Sequence, residues 1–249
     1  MKIVLAAIAL CAGSAVAVAQ TDVQTAQAGT IGLTYDLNSV VVVGNMDTVG
    51  SGSVASFFVR DTKSAFGAIN IFLGQGDFDA LGLQLGDVLD IVAGTRDSFN
   101  GFSELTFPAS VTASAGAAPT NHAPIATSAA DYQNLSATAE GLESQRVGVS
   151  ASFADAGDVG TAWAGFTNYT FNDGLGSFFT ARVATNEIAD RLNGQYGNIG
   201  AGPLDLVGIF GQYSPGDDGT GYQLLLAPSP SSVALLGLGG LVATRRRRG

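Results

Sequence analysis

The chain of 249 residues reads as an all-β protein built of two small five-stranded barrels in tandem with short capping helices. Three observations predict this class. Glycine is abundant, at 34 residues, and charged residues make up only 13%. β-branched and aromatic residues come in short runs punctuated by Gly, Asn and Asp, the pattern of strands and turns. A weak internal repeat also appears: LDIVAG at 89–94 answers LDLVG at 204–208, each after a glycine and before a turn and a closing strand. A repeat unit of about 110 residues implies two copies of one module.

In chain order, residues 20–38 open on a polar, Ala/Thr-rich stretch and read as a mobile start. The first barrel takes 39–107. Its strands are expected at 39–47, 54–60, 65–73, 87–95 and 102–107, with a loop holding one helical turn at 74–85. Asn100-Gly101 between the last two is a hairpin signal. Residues 108–140 read as a linker, Ala/Ser/Thr/Pro-rich at first and then carrying a short helix. Ser128 with Asp131 three residues on is a capping-box-like start. The second barrel takes 141–227, with strands at 146–153, 162–171, 176–183, 204–212 and 222–227. A short helix at 186–192 has Asn186 as its expected cap. A second echo, SFFVR at 56–60 and SFFTAR at 177–182, falls at different places in the strand count.

Particular residues carry a resemblance here. Phe57 to Asp61, Leu85 to Val88 and Asn100 to Leu105 stand in the order strand, Phe-Phe-Val-Arg-Asp, strand, Leu-x-x-Gly-Asp-Val, long strand, Asn-Gly, Glu-Leu. This resembles the OB-fold modules found in exported bacterial proteins, often in tandem. The resemblance covers about 39–227 and implies a barrel that binds oligonucleotides, oligosaccharides or other proteins. It implies no particular ligand, because function lives in a site and not in the fold.

The ends of the chain read as addresses. Lys2, an apolar run over 3–12 and small-residue sites ending at Ala17 and Ala19 form a secretory leader, with an apolar signal helix at residues 1–19. Cys11, the single cysteine, lies inside it, so the exported chain holds no thiol. At the other end, 228–249 runs from a Pro/Ser break through an apolar segment to four arginines. The apolar part forms roughly 21 Å of helix at ~1.5 Å per residue, short against a hydrocarbon core of about 30 Å. Pro228, Ser229 and Pro230 followed by the hydrophobic helix and Arg245, Arg246, Arg247 and Arg248 resemble the PEP-CTERM sorting signal, with Ser where Glu is expected. That resemblance implies an exosortase as reader. The expected location is the cell envelope, surface or exterior, with the secretion machinery and a membrane sorting or processing protease as partners, and the membrane held through the C-terminal segment.

Charge and chemistry narrow the function classes. With Lys2 and the tail arginines set aside, six basic residues face 21 acidic ones, a net charge of −15. Such a field repels polyphosphate backbones and disfavours nucleic acid as a partner; an exopolysaccharide or another surface component tolerates it. His122, the single histidine, lies in the linker. One His and no thiol leave no zinc site of the usual kind. No cofactor is expected beyond calcium, for which Asp77 with Asp79 and Asp217 with Asp218 are the candidate acids beside glycine turns. No catalytic set emerges. The first expectation is a non-enzymatic exported surface or matrix protein. The alternative is an OB-type ligand-binding module, with saccharide favoured over nucleic acid, and a hydrolase stands third. Phe57, Phe58, Phe72, Trp163, Phe166, Tyr169, Phe171, Phe178 and Phe179 are available for a stacking platform, with Trp163 the ligand-facing candidate.

Overall fold

The computed structural model describes residues 22–49, 54–61, 67–114, 123–133, 138–155, 157–213 and 221–227. The leader with Ala17 and Ala19, the tail with Pro228, Ser229, Pro230 and Arg245 to Arg248, His122, Asp217 and Asp218 lie outside these residues.

Twelve strands among them form two six-stranded sheets. In the first, β1 (Thr34–Val49), β2 (Val54–Asp61), β3 (Ala68–Gly74), β4 (Val88–Phe99) and β5 (Phe102–Thr106) are hydrogen-bonded in the order β1-β2-β3-β5-β4. A further β1–β4 pairing closes the ring. The second sheet repeats this with β8 (Arg146–Phe153), β9 (Thr167–Asn172), β10 (Phe178–Val183), β11 (Pro203–Gln212) and β12 (Tyr222–Leu226), in the order β8-β9-β10-β12-β11, closed by β11 against β8. In each ring the third and fifth strands run parallel and every other pair is antiparallel. Both are therefore five-stranded Greek-key barrels of OB type. In each, a helix joins the third strand to the fourth: α2 (Gln75–Leu81) in the first barrel and, after the short α3 (Ala139–Leu142) that precedes β8, α4 (Asn186–Tyr196) in the second.

Period-two patterning sets which residues fill each barrel. In the first, Phe57, Val59, Ile69, Ile71, Ile91 and Leu105 point inward and are fully buried. The second is filled by rings: Phe153, Trp163, Tyr169, Phe171, Phe179, Phe210 and Tyr222 share one cluster. Tyr132, from the 3₁₀ turn at Ala129–Tyr132, stacks on both Phe179 and Phe210 at 4.7 and 4.6 Å between centroids.

Several boundaries differ from the sequence expectation, each for a local reason. β1 begins at Thr34, five residues early, because bulges interrupt its alternation between Tyr35 and Val40. Ser39 stands at a left-handed φ of 54°, and its N–H donates to the Asp90 carboxylate at 2.7 Å. The stretch expected as a mobile start holds α1 (Asp22–Gln27), which buries Val23 and Ala26 in the first core. The buried Arg96 guanidinium donates to the Gln27 carbonyl and ties this helix down. Within 108–140, β6 (Ser110–Ala113) pairs with β4, and β7 (Ile125–Ala126) pairs with β8. Ser128 and Asp131 form the capping box. The cap of α4 is Thr185, whose hydroxyl accepts from the Ile188 N–H at 3.2 Å, and not Asn186.

The barrels meet along an apolar seam. Val41, Val43, Phe58, Val88 and Phe102 of the first pack with Ile209 and Leu225 of the second. A β-carbon on Gly44 would lie 2.5 Å from Ile209 Cδ1, so the seam needs glycine there. Beside it, the Ser103 N–H donates to Glu143 across the barrels at 2.9 Å.

Candidate ligand-binding cleft

Next to the seam the two barrels leave a cleft of about 520 Å³. Its size is that of a small-molecule or single-residue site. The first barrel supplies the outer face of β2, β3 and β5 and the β4–β5 hairpin, the surface OB barrels present to ligands. Strand alternation decides what appears there. With Ile71 and Leu105 turned inward, Asn70 and Phe72 of β3 and Glu104 and Thr106 of β5 must turn outward, and Ser56 and Phe58 join them from β2. The second barrel contributes Arg182 and Ala184 beside β10, Gln223 and Leu225 of β12, and Gln212 and Tyr213 at the end of β11.

The rim is aromatic and exposed. Phe99, Phe107, Phe166 and Tyr213 are each more than half exposed, and all four line the cleft. Two of them stand on unusual backbone: Phe107 at φ 42° and Phe166 at φ 57°. A bulky residue in the left-handed region costs roughly 1–2 kcal/mol and is worth reading as a device when it recurs at one site. Phe107 is held by its own N–H, which donates to the Phe72 carbonyl at 2.8 Å, and its ring meets Phe72 edge-on at 5.9 Å. The hairpin below turns through Asn100 and Gly101, both left-handed as a type I′ turn requires. A β-carbon on Gly101 would lie 2.7 Å from Gln212 Cδ, so glycine also allows this hairpin to approach the second barrel.

The floor is polar and buried. Asn70 stands opposite Glu104 in the parallel ladder, and its Nδ2 donates to Glu104 Oε2 at 3.3 Å. Asn70 Oδ1, Ser56 Oγ and Gln212 Nε2 are buried without a hydrogen-bond partner. An orphaned buried polar atom is costly and calls for an explanation; three on one cleft floor are what a ligand would satisfy. Burial and the nearby Asp97 carboxylate push the Glu104 carboxyl up to about 7 from 4.5, against the smaller opposing effects of Asn70 and Arg96. Arg182 is the one cation among the lining residues, and it donates to Asn168 Oδ1 at 3.0 Å.

The sequence candidates fall elsewhere in part. Trp163 is 3% exposed and lies in the second core, within 6.4 Å of Phe153, Tyr169 and Phe171, so it faces no ligand. Asn193 clamps its backbone from both sides. Of the proposed platform, Phe58, Phe72 and Phe166 line the cleft, whereas Phe57, Tyr169, Phe171 and Phe179 are core. Phe107, Tyr213 and the polar floor carry no sequence signal of their own, and for Phe99 and Phe102 the signal is the Asn-Gly hairpin that they flank. Asp77 and Asp79 lie on α2, where Asp79 accepts from Gln75 Nε2 at 2.9 Å. Among the described residues no group of three or more His, Cys, Asp or Glu is placed to hold a metal. None of the helices among them is long and apolar enough to cross a membrane.

Fold and site together define the class: a tandem OB-fold module with a cleft between its barrels. No family model matches the chain, and no curated protein does. Among solved structures, the chain is similar to a replication protein A heterotrimer bound to ssDNA, at 12% identity and a TM-score of 0.38, over 87% of this chain and 54% of that one. It thus spans about half the length of that chain. It is also similar to the p204 HINb domain, at 14% identity and a TM-score of 0.36, over 80% of this chain and 94% of that one. A third likeness is to a deletion mutant of the single-stranded DNA binding protein from Thermus aquaticus, at 11% identity and a TM-score of 0.20, over 77% and 91%. Two of these three carry single-stranded DNA in their description, which corrects the expectation that nucleic acid is disfavoured as a partner. The error was physical: a net charge summed over two barrels does not decide what one largely apolar cleft accepts.

Proposed function

We propose that this protein is a non-enzymatic binding module that takes the bases of a single-stranded nucleic acid in the inter-barrel cleft. One observation carries the reading: four exposed rings, two on strained backbone, surround a buried polar floor on the ligand-bearing face of an OB barrel. Flat bases bury their faces on such rings and keep their polar edges for the floor, and each stacked base contributes about 1–3 kcal/mol. A pyranose presents a smaller, puckered C–H face than a flat base and so covers less of the four rings, which favours a base over a sugar. With Arg182 the lone cation of the lining, stacking rather than charge supplies the affinity. The module acts outside the cell, given the leader ending at Ala19 and the sorting tail; intact termini on protein from its native host would contradict that placement.

The test is fluorescence anisotropy with labelled strands of about 15 nucleotides. Single strands bind and duplexes do not. Phe107→Ala and Phe99→Ala each weaken binding by about 1–3 kcal/mol. The logarithm of affinity falls with that of salt at a slope near −0.7, the value for about one neutralised phosphate. Binding of oligosaccharides in place of single strands, or affinity indifferent to both rings, overturns the reading.

A further inference from the structure

The floor of the cleft is more specific than a stacking platform needs. Stacking tolerates every base, because every base has a π-face. Yet beneath the rings stand an acceptor pair and a donor, all buried. Asn70 spends its amide N–H on Glu104, which leaves its carbonyl oxygen free to accept. The Glu104 carboxylate, 8% exposed, offers further lone pairs beside it. Gln212 Nε2, reaching the same cleft from the other barrel, is a donor without an acceptor.

Resting on the reading above, we infer that Asn70, Glu104 and Gln212 read the base edge and select adenine and cytosine, whose exocyclic amine stands beside an unprotonated ring nitrogen on the pairing edge; guanine has the amine but carries N1–H in that place. One –NH₂ carries two hydrogens on one atom, enough for both the Asn70 carbonyl and the Glu104 carboxylate. In adenine and cytosine a ring nitrogen acceptor lies next to that amine, the kind of partner that Gln212 Nε2, a lining donor, lacks. Thymine offers an imide nitrogen with a single hydrogen, so one of the two floor acceptors stays empty. A buried acceptor left unpaired is what discriminates, more than the bond that is made.

The selection depends on the ionisation of Glu104. Asp97 and Arg96 of β4 are the charged groups that act on it, together with the Asn70 amide of β3, and Arg182 of β10 is the remaining charged residue of the lining. Protonated Glu104 becomes a donor. Once the Asn70 amide turns over, its proton is accepted by the Asn70 carbonyl, and the floor no longer presents two acceptors. With burial and Asp97 holding the carboxyl near 7, this exchange falls in an accessible range.

The experiment compares mixed adenine–cytosine strands with all-thymine strands on the full chain at pH 8 and pH 6. At pH 8 the adenine–cytosine strand binds about tenfold more tightly, the worth of one charge-assisted bond. At pH 6 the preference shrinks several-fold while thymine binding holds. Glu104→Gln, which cannot ionise, removes the pH dependence. Equal affinity for both strands at both pH values, with Phe107→Ala still weakening them, overturns the edge reading and leaves the stacking module standing. No binding of either strand overturns both.

Discussion

The two barrels share one topology and allocate their rings differently. In the first, aliphatic Val, Ile and Leu fill most of the interior beside Phe57 and Phe78, and Phe58, Phe72, Phe99, Phe102 and Phe107 stand outside it on the seam and cleft. In the second, Phe153, Trp163, Tyr169, Phe171, Phe179 and Phe210 are interior, and the outward positions of β9 are Asn168, Thr170 and Asn172. The barrel closes either way, since strand alternation and register ask only for an apolar inward set. What differs is the outward set: the first barrel turns five rings to the seam and cleft, whereas the second adds Phe166 and Tyr213 to the rim and is polar along the outer side of β9. The contrast can be broken at several depths.

The largest effect is expected where the second barrel is most aromatic. Phe171 is fully buried and meets Phe153, Trp163 and Phe179 at 4.7, 6.4 and 5.7 Å. Phe171→Ala lowers stability by about 3–5 kcal/mol, read as a shift in the urea midpoint. Binding by the intact fraction should not change, because no cleft residue is lost. A cost under about 1 kcal/mol would show that the ring cluster is not what fills this barrel.

Next in size is the joint. Ile209 is buried against Gly44 and Phe58 across the seam. Ile209→Ala should cost about 2–4 kcal/mol and separate one unfolding transition into two in calorimetry. If the barrels still melt together, Ser103–Glu143 and the remaining seam suffice to couple them.

Glu104 gives a pH-dependent term that the second barrel lacks, since Gln223 occupies the matching fifth strand. The folded state raises this carboxyl from 4.5 to about 7 and so holds its proton more tightly than the unfolded chain does. The stability it contributes is full below 4.5 and is lost as pH rises towards 7. Glu104→Gln should therefore raise Tm at pH 8 and leave it nearly unchanged at pH 4. A variant equally stabilised at both values would locate the effect in packing instead of ionisation.

How much of this was legible in sequence depends on the range of the interactions. Strand periods and the Asn100-Gly101 turn are local, and they were readable; so was the LDIVAG and LDLVG echo, which lies on the fourth strand of both barrels. The other echo was strand vocabulary: SFFVR lies on the second strand of its barrel, SFFTAR on the third. β1 was half missed because its bulges break the alternation that a reader follows. The floor was illegible because Asn70 and Glu104, 34 residues apart, become neighbours only through the parallel β3–β5 pairing. Trp163 misled for the reverse reason: a lone large ring looks like a ligand platform until the neighbours that bury it are known.

The smallest effect tests whether the cleft's rings are held at a cost. Phe107 follows the fifth strand of its barrel at φ 42°, whereas Ala227, which follows the fifth strand of the other, is not among the left-handed residues. Phe107→Ala and Phe107→Gly both remove an exposed ring, so they lose the same contacts with Phe72 and with ligand. They differ in the β-carbon alone, which the left-handed backbone disfavours and glycine lacks. The glycine variant should be more stable than the alanine variant by about 1 kcal/mol, with binding weakened equally in both. Equal stability of the two would mean that the backbone is not strained by its side chain. The ring would then be merely exposed, not held out over the cleft by the fold.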